Sequence, residues 1–558
     1  MLKKLIMLIA LVSTALAGTT EKIDELATRY IDCRAKFFPV WATSVGIHEY
    51  DSLLTDYSSE SVFTYRNDIS IIMQDLKQMD IQQLKGDDYI NYRLLKSNIE
   101  YDDFILAKFP LHQISTALYI EEPLEGIYML LLDNSRTMAE KAPFIMARTR
   151  SIGMFFQQRW EYQAQLAPIF YESAEEAIDG GIKLLEEAAQ LVYQALPDSA
   201  RPMSLYKNKA IGDLKTFKLY CQIEKNDSFG THVIGRQQLN YLLKNILFLE
   251  ADADSLIKIG WYWYDRCNAA ISSLNNIIAA KSQNAESVFN DSLTKEDILN
   301  YYQWEINETA RFFKDKDIVT IPDDIGACIP IEMPEFMRAI RKGIAYQPPP
   351  PFSTDQTGYF YVRPLDNLDS AAIAKYSGII QKRGFRGSVV HEAYPGHHLQ
   401  LSLANRQISP LRRIQCDRVF SEGWALYCEQ MAIEQGLYAD DDQDIRWRDV
   451  YGGIRFRAIR IIVDCSLAEG SMTPDSALTF MNNMLGEDTE YFKAEIRRYC
   501  ANPTQALSYL TGKLLILDML EKARAKEGNS FSLKQFHDRL LAEGSIPPNL
   551  IAEKLGYK

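Results

Sequence analysis

Histidine is scarce in this sequence: seven residues in 558, against 61 lysines and arginines and 74 aspartates and glutamates, so any clustering of histidines is informative. No two cysteines stand in a CxxC arrangement. The eight (Cys33, Cys221, Cys267, Cys328, Cys416, Cys428, Cys465 and Cys500) are widely and irregularly spaced. That spacing argues against a structural zinc cluster and leaves them as buried small apolar residues, with room for one or two bridges in an oxidising compartment. Positive charge is in deficit. A net charge of -13 and a pI near 5.3 exclude a general nucleic-acid binder, which would carry a basic surplus. Beyond the first residues no apolar run approaches the roughly 20 residues needed to cross a bilayer, so the mature chain is expected to make no stable membrane insertion. Short repeats, low-complexity tracts and long charge runs are also missing.

The start of the chain reads as an export signal. Lys3 and Lys4 precede an apolar run from Leu5 to Val12, and Ala15-Leu16-Ala17 before Gly18 forms a small-residue cleavage site. We therefore expect a signal peptide over 1–17 and an exported protein, periplasmic or secreted, beginning near Gly18. No cysteine follows the apolar run to accept a lipid.

With 47% apolar residues the mature chain can bury a large core. Apolar residues recur at three- and four-residue steps in Ile23 to Phe37, Asp87 to Ala107, Ser173 to Ala195 and Ala253 to Ala280, so the fold class is mainly α. Its length allows one large domain over 18–558 or two packed lobes, about 18–300 and 301–558. A small β-sheet is expected near residue 360. Four prolines, Pro348 to Pro351, force extended backbone there, and Tyr359-Phe360-Tyr361-Val362 has strand composition; Ile318 to Ile321 is a second candidate strand.

Three of the seven histidines fall in His391-Glu392-Ala393-Tyr394-Pro395-Gly396-His397-His398. In an HExxH zinc site, histidines at i and i+4 share one helical face and the glutamate between them serves as general base. Here Pro395 stands at i+4, and the next histidines are at i+6 and i+7. On a straight helix His397 would point about 120° away from His391, and His398 would lie about 10.5 Å along the axis, too far to share an ion. Pro395-Gly396 can supply a bulge or kink that brings His397 to the metal and turns His398 toward the wall of the site. A third ligand is expected from Glu422, 31 residues after His391, with Glu429 behind the ligands. The expected cofactor is Zn2+. His48, His112, His232 and His537 are read as ordinary surface or core histidines.

These motifs resemble, in order, those of the bacterial family named domain of unknown function 885, regarded as zinc peptidases related to the helical gluzincins. The likeness runs through Phe38-Pro39, Ala42-Thr43 and Gly46-Ile47-His48, the HExxPGHH segment in Val390 to Gln400, and EGWALY in Glu422 to Tyr427. It continues through Pro503, Gln505 to Tyr509 and Gly512, and ends with Phe531, Phe536-His537-Asp538 and Gly544 to Pro547. The resemblance implies a helical metallopeptidase-like body around a deep groove, with His391, His397 and Glu422 on zinc and Glu392 activating water. This chain departs from it at Ala468, where relatives carry His, and at Thr504, where they carry Gly. Tyr509, in the family-like segment, is the candidate oxyanion donor. Arg383, Arg386, Arg455, Arg457 and Arg460 are candidates to hold a substrate carboxylate. The expected activity is zinc-dependent hydrolysis of peptide substrates. Two other readings remain: a metal-containing peptide-binding protein with little or no activity, suggested by Ala468, and a zinc-dependent hydrolase of a non-peptide amide or ester.

Overall fold

The structure is a computed structural model that describes residues 2–162, 166–281, 293–334, 343–364, 369–439, 441–486 and 490–558; for 2–17, 176, 227 and 490 it describes the backbone alone. The backbone of the expected leader continues into the first long helix, Leu2–Phe37, and its side chains lie outside the described residues.

The fold is mainly helical, and the periodic segments become helices where expected: Leu2–Phe37, Gly86–Asp103, Pro168–Ala195 and Ala253–Lys281. Side-chain caps fix several starts. Thr137 with Glu140 and Thr294 with Asp297 form reciprocal capping boxes that satisfy otherwise unpaired N–H groups. The Ala253–Lys281 helix packs along Gln443–Glu469. At their contact Gly260 admits the other backbone so closely that a Cβ there would lie 2.9 Å from the Ala458 carbonyl oxygen. One continuous apolar core includes residues from Ile23 to Tyr557. Among the described residues no helix is long and apolar enough to cross a membrane.

A three-stranded sheet lies beside the histidine-rich segment: β1 Cys328–Glu332, β2 Ala345–Gln347 and β3 Gly358–Val362, in the order β1-β3-β2. The central strand β3 runs parallel to β1 and antiparallel to β2, and its Phe360, Tyr361 and Val362 are buried. The strand expected at Ile318 to Ile321 does not form. Ile318 and Val319 are buried, but the backbone there is satisfied by side chains: the Ile318 carbonyl accepts from His537 Nδ1 at 2.8 Å, and Thr320 N–H donates to Asp538 at 2.8 Å. Apolar composition marked burial, and side chains took the place of a partner strand. All eight cysteines are unpaired, and six of them are buried.

The helix Arg418–Glu434, capped by Asp417 at the Phe420 N–H, crosses Ser508–Glu527 at two glycines. A Cβ on Gly423 would lie 2.4 Å from the Gly512 carbonyl carbon, and one on Gly512 would lie 1.7 Å from the Val419 carbonyl oxygen. The helices therefore touch backbone to backbone, one residue from Glu422 and three from Tyr509. Gly423→Ala or Gly512→Ala is expected to destabilise the protein by about 1–3 kcal/mol or more, because backbone cannot move aside as a flexible side chain does. Gly378→Ala, in open space on the helix Ser370–Gln381, is expected to stabilise by up to about 1 kcal/mol. Thermal unfolding of the three variants checks this, and an unchanged Tm for Gly423→Ala would show that the crossing tolerates separation.

Candidate metal centre

The sequence around Pro395 breaks the helix completely, where a bulge or kink was expected. One helix, Arg386–Glu392, ends, and a second, His397–Ala404, begins after a cis Tyr394–Pro395 bond. Proline has no N–H to continue the ladder. Gly396 then folds onto the end of the first helix, where a Cβ would lie 1.9 Å from the His391 carbonyl oxygen and 2.4 Å from that of Val390. No side chain fits there. The indole N–H of Trp424 donates to the Pro395 carbonyl at 2.7 Å, tying the break to the helix that carries Glu422.

This folding brings His391, His397 and Glu422 together, with one potential ligand atom from each within 4.8 Å of the others. His391 Nε2 lies 3.7 Å and His397 Nε2 3.4 Å from Glu422 Oε2. Ligands bonded to zinc at about 2.0–2.1 Å stand roughly 3.3–3.4 Å apart at the corners of a tetrahedron, so the spacings and the donor set fit that ion. The imidazole rings meet edge to face at 87°. Burial alone would push His391 down, but its hydrogen bonds to Glu422 and Glu429 push the ring up to about 10. Burial would raise the Glu422 carboxyl, yet His391 and His397 hold it well below the usual range. Such a site favours a cation at its centre.

The surrounding groups sort by what they touch. Glu429 Oε1 accepts from His391 Nδ1 at 2.7 Å, leaving Nε2 to face Glu422. Glu392 Oε2 stands 4.0 Å from His397 Nε2 and is not one of the three potential ligands that cluster. His398 turns away, as its position after the break dictates. Its Nε2–H donates to the Gly326 carbonyl at 2.9 Å, and its Nδ1 accepts from the Tyr346 hydroxyl at 2.8 Å. Burial pushes its pKa down to about 4, so the ring is a neutral brace between the second helix and the sheet. Nothing in the sequence marked Tyr346 as that partner beyond its place in β2.

The structure divides the candidate arginines. Arg383 and Arg386 both pair with the buried Glu305, Nε to carboxylate, at 2.6 and 2.9 Å, and Arg455 donates to Asn268; these are internal ties that the sequence did not distinguish from substrate-binding groups. Arg457 and Arg460 line a cavity of about 1440 Å³ together with His391, Glu392, His397, Glu422 and Tyr509. The cavity wall includes Trp41 and Glu125 from early helices, β2, and Pro348 and Pro349, so distant parts of the chain enclose the cluster. The Arg457 and Arg460 guanidiniums both pack on the Tyr509 ring, 5.7 and 4.8 Å from its centre. Ala468 is buried and does not line the cavity; its carbonyl accepts from the Ile234 and Gly235 N–H groups. Thr504 has φ 76, a conformation that suits glycine better. Of the other histidines, His48 pairs with Asp51, His112 stacks on Tyr57, His232 is buried, and His537 bonds Tyr427 and Ile318.

Comparison with solved structures finds the same fold along the whole chain. A Shewanella oneidensis protein described as a "putative lipoprotein of unknown function" is 19% identical, with a TM-score of 0.76 over 96% of this chain and 99% of that one. A "putative lipoprotein" from Colwellia psychrerythraea is 20% identical, with a TM-score of 0.77 over the same shares. Comparison with curated proteins gives no match. The model of one family, described as "Bacterial protein of unknown function (DUF885)", matches residues 39–555, and the chain belongs to that family.

Proposed function

We propose that the protein is an exported zinc-dependent hydrolase of peptide bonds. The observation that carries this reading is the approach of His391, His397 and Glu422 at zinc-ligand spacings in the lining of a large cavity, with Glu392 beside them. Export rests on the leader-like start and on the lipoprotein names of the two structural relatives. Zinc held by the three side chains supplies a Lewis acid and a water of lowered pKa. Glu392 takes the proton of the attacking water at a carboxylate oxygen and returns it to the nitrogen of the leaving amine. Glu429 keeps the His391 ring oriented, with the Nδ1 proton on its own side. Tyr509 donates its hydroxyl to the oxygen of the scissile carbonyl as negative charge develops there. The cavity is wider than the usual small-molecule pocket of about 300–1,000 Å³, which suits a peptide.

Metal stoichiometry tests the ligand set. His397→Ala and Glu422→Ala are expected to lose zinc and activity together, and His398→Ala to keep most of its zinc; the reverse pattern for the two histidines would move the ligand role to His398. Glu392→Gln is expected to keep zinc and lose hydrolysis by about 100-fold or more, since an amide cannot accept the proton. Wild-type turnover in that variant sinks the general-base role. The metal-free His391 ring, with its pKa raised from 6.5 to about 10, holds a proton at pH 7 that a metal must displace. Zinc uptake at pH 7 is therefore expected to release about one proton, and apparent affinity to rise with pH up to about 10. Calorimetry in buffers of different ionisation enthalpy measures the release, and binding without it contradicts the assignment.

A further inference from the structure

Among the described residues, one wall of the cavity carries more positive charge than its own carboxylates neutralise, in a chain whose net charge is -13. Arg457 and Arg460 come from the helix Gln443–Glu469 and Arg498 from Glu490–Ala501, and all three line the cavity. Glu495 lies among them. It pairs with Arg460, with Arg498 at 2.8 Å, and accepts the Tyr499 hydroxyl at 2.7 Å. One carboxylate shared by two guanidiniums leaves a positive charge over, and Arg457 adds another. The carboxylate that Arg457 faces, Glu429, is 3.8 Å from its Nη2 and already holds His391 at 2.7 Å through the same oxygen. Among the described residues neither Arg457 nor Arg460 has an acceptor for its Nε–H. Arg383 and Arg386 are different: a buried carboxylate takes both. Packing against the Tyr509 ring holds the Arg457 and Arg460 guanidiniums beside the oxyanion candidate before any ligand arrives.

We infer that this wall is a subsite for a substrate carboxylate. On the peptide-hydrolase reading, on which the assignment rests, that carboxylate is the free C-terminus of the peptide. Arg457 grips it, Arg460 and Arg498 add their field, and the enzyme removes residues from the C-terminal end. A planar guanidinium matches a carboxylate with two parallel N–H bonds, which an amidated terminus cannot accept in the same way.

The test uses a pool of N-acetylated hexapeptides with free C-termini and the same pool amidated. Cleavage is followed by mass spectrometry on the zinc-loaded protein, and binding by calorimetry on its Glu392→Gln variant. Free acids are expected to be preferred about 10- to 100-fold in both readouts, the range of one charge-assisted contact. Arg457→Ala is expected to bring that ratio close to one. Arg457→Lys, which keeps a cation beside Glu429 but not the fork, is expected to retain zinc and lose most of the preference; it decides the case if the alanine variant does not fold. Equal handling of acids and amides by the parent protein, or an intact ratio in Arg457→Lys, overturns the subsite. Amidated peptides ending in aspartate or glutamate that compete as well as free acids overturn the terminal assignment and place the carboxylate on a side chain. If no peptide is cleaved but free acids still bind better, the peptidase reading fails and the subsite stands. Neither cleavage nor preferential binding overturns both.

Discussion

The packing of Gly396 on the carbonyl of His391 is the constraint on which the metal centre depends. Two histidines six residues apart cannot share an ion along a straight helix, because the second faces the wrong way. Here the chain stops one helix, lays a residue without a side chain on its last carbonyls, and starts another with His397 as its first residue. The stop is not loose. Trp424 bonds the Pro395 carbonyl, and Trp424 lies two residues after Glu422 on the same helix. One helix thus supplies Glu422, the third member of the cluster, and fixes the break that delivers His397.

Electrostatics then determines what the centre can hold. Glu392, Glu422 and Glu429 gather around two imidazoles, and so many carboxylates in a low-dielectric site are stable only with positive charge among them. Against the burial that would disfavour it, His391 meets that need by holding its proton more tightly. The two histidines are held unequally: Glu429 braces His391, whereas His397 Nδ1 is buried without a partner among the described residues. The position of His397 accordingly rests on the backbone break rather than on a hydrogen bond to its ring.

Much of this could be read from the sequence, and the reasons are physical. Apolar steps of three and four residues identified the long helices because the core selects for one helical face. The scarcity of histidine made its clustering between residues 391 and 398 conspicuous, and the spacing alone required a distortion at Pro395-Gly396. The extent of the distortion was not legible: proline and glycine announce a departure from helix, while a full break with a new start depends on Trp424 and on the carbonyls that Gly396 covers. Long-range pairing was hidden as well. Nothing local distinguishes Arg386, which meets Glu305 eighty-one residues away, from Arg457, which faces the cavity. Ile318 to Ile321 looked like a strand because burial and strand composition coincide, and only the side chains of His537 and Asp538 show that no partner strand is needed.

The helix Gln443–Glu469 links the arginine wall to the oxyanion candidate through Asp464. This buried carboxylate accepts from the Thr504 N–H at 3.0 Å and the Leu507 N–H at 2.9 Å, clamping the loop that leads into the helix of Tyr509. Burial pushes its pKa up to about 6 in spite of those bonds, so the clamp retains its charge at neutral pH. Thr504 pays for the tight turn with a left-handed backbone, a conformation that costs a residue with a Cβ roughly 1–2 kcal/mol. Arg457 and Arg460 reach Tyr509 from about two turns and one turn before Asp464 on that same helix. Ala468, one turn beyond, lies in the core and holds the backbone at Ile234 and Gly235. Ala468 therefore falls outside the cavity wall, while Arg457 and Arg460, which pack on Tyr509, line it.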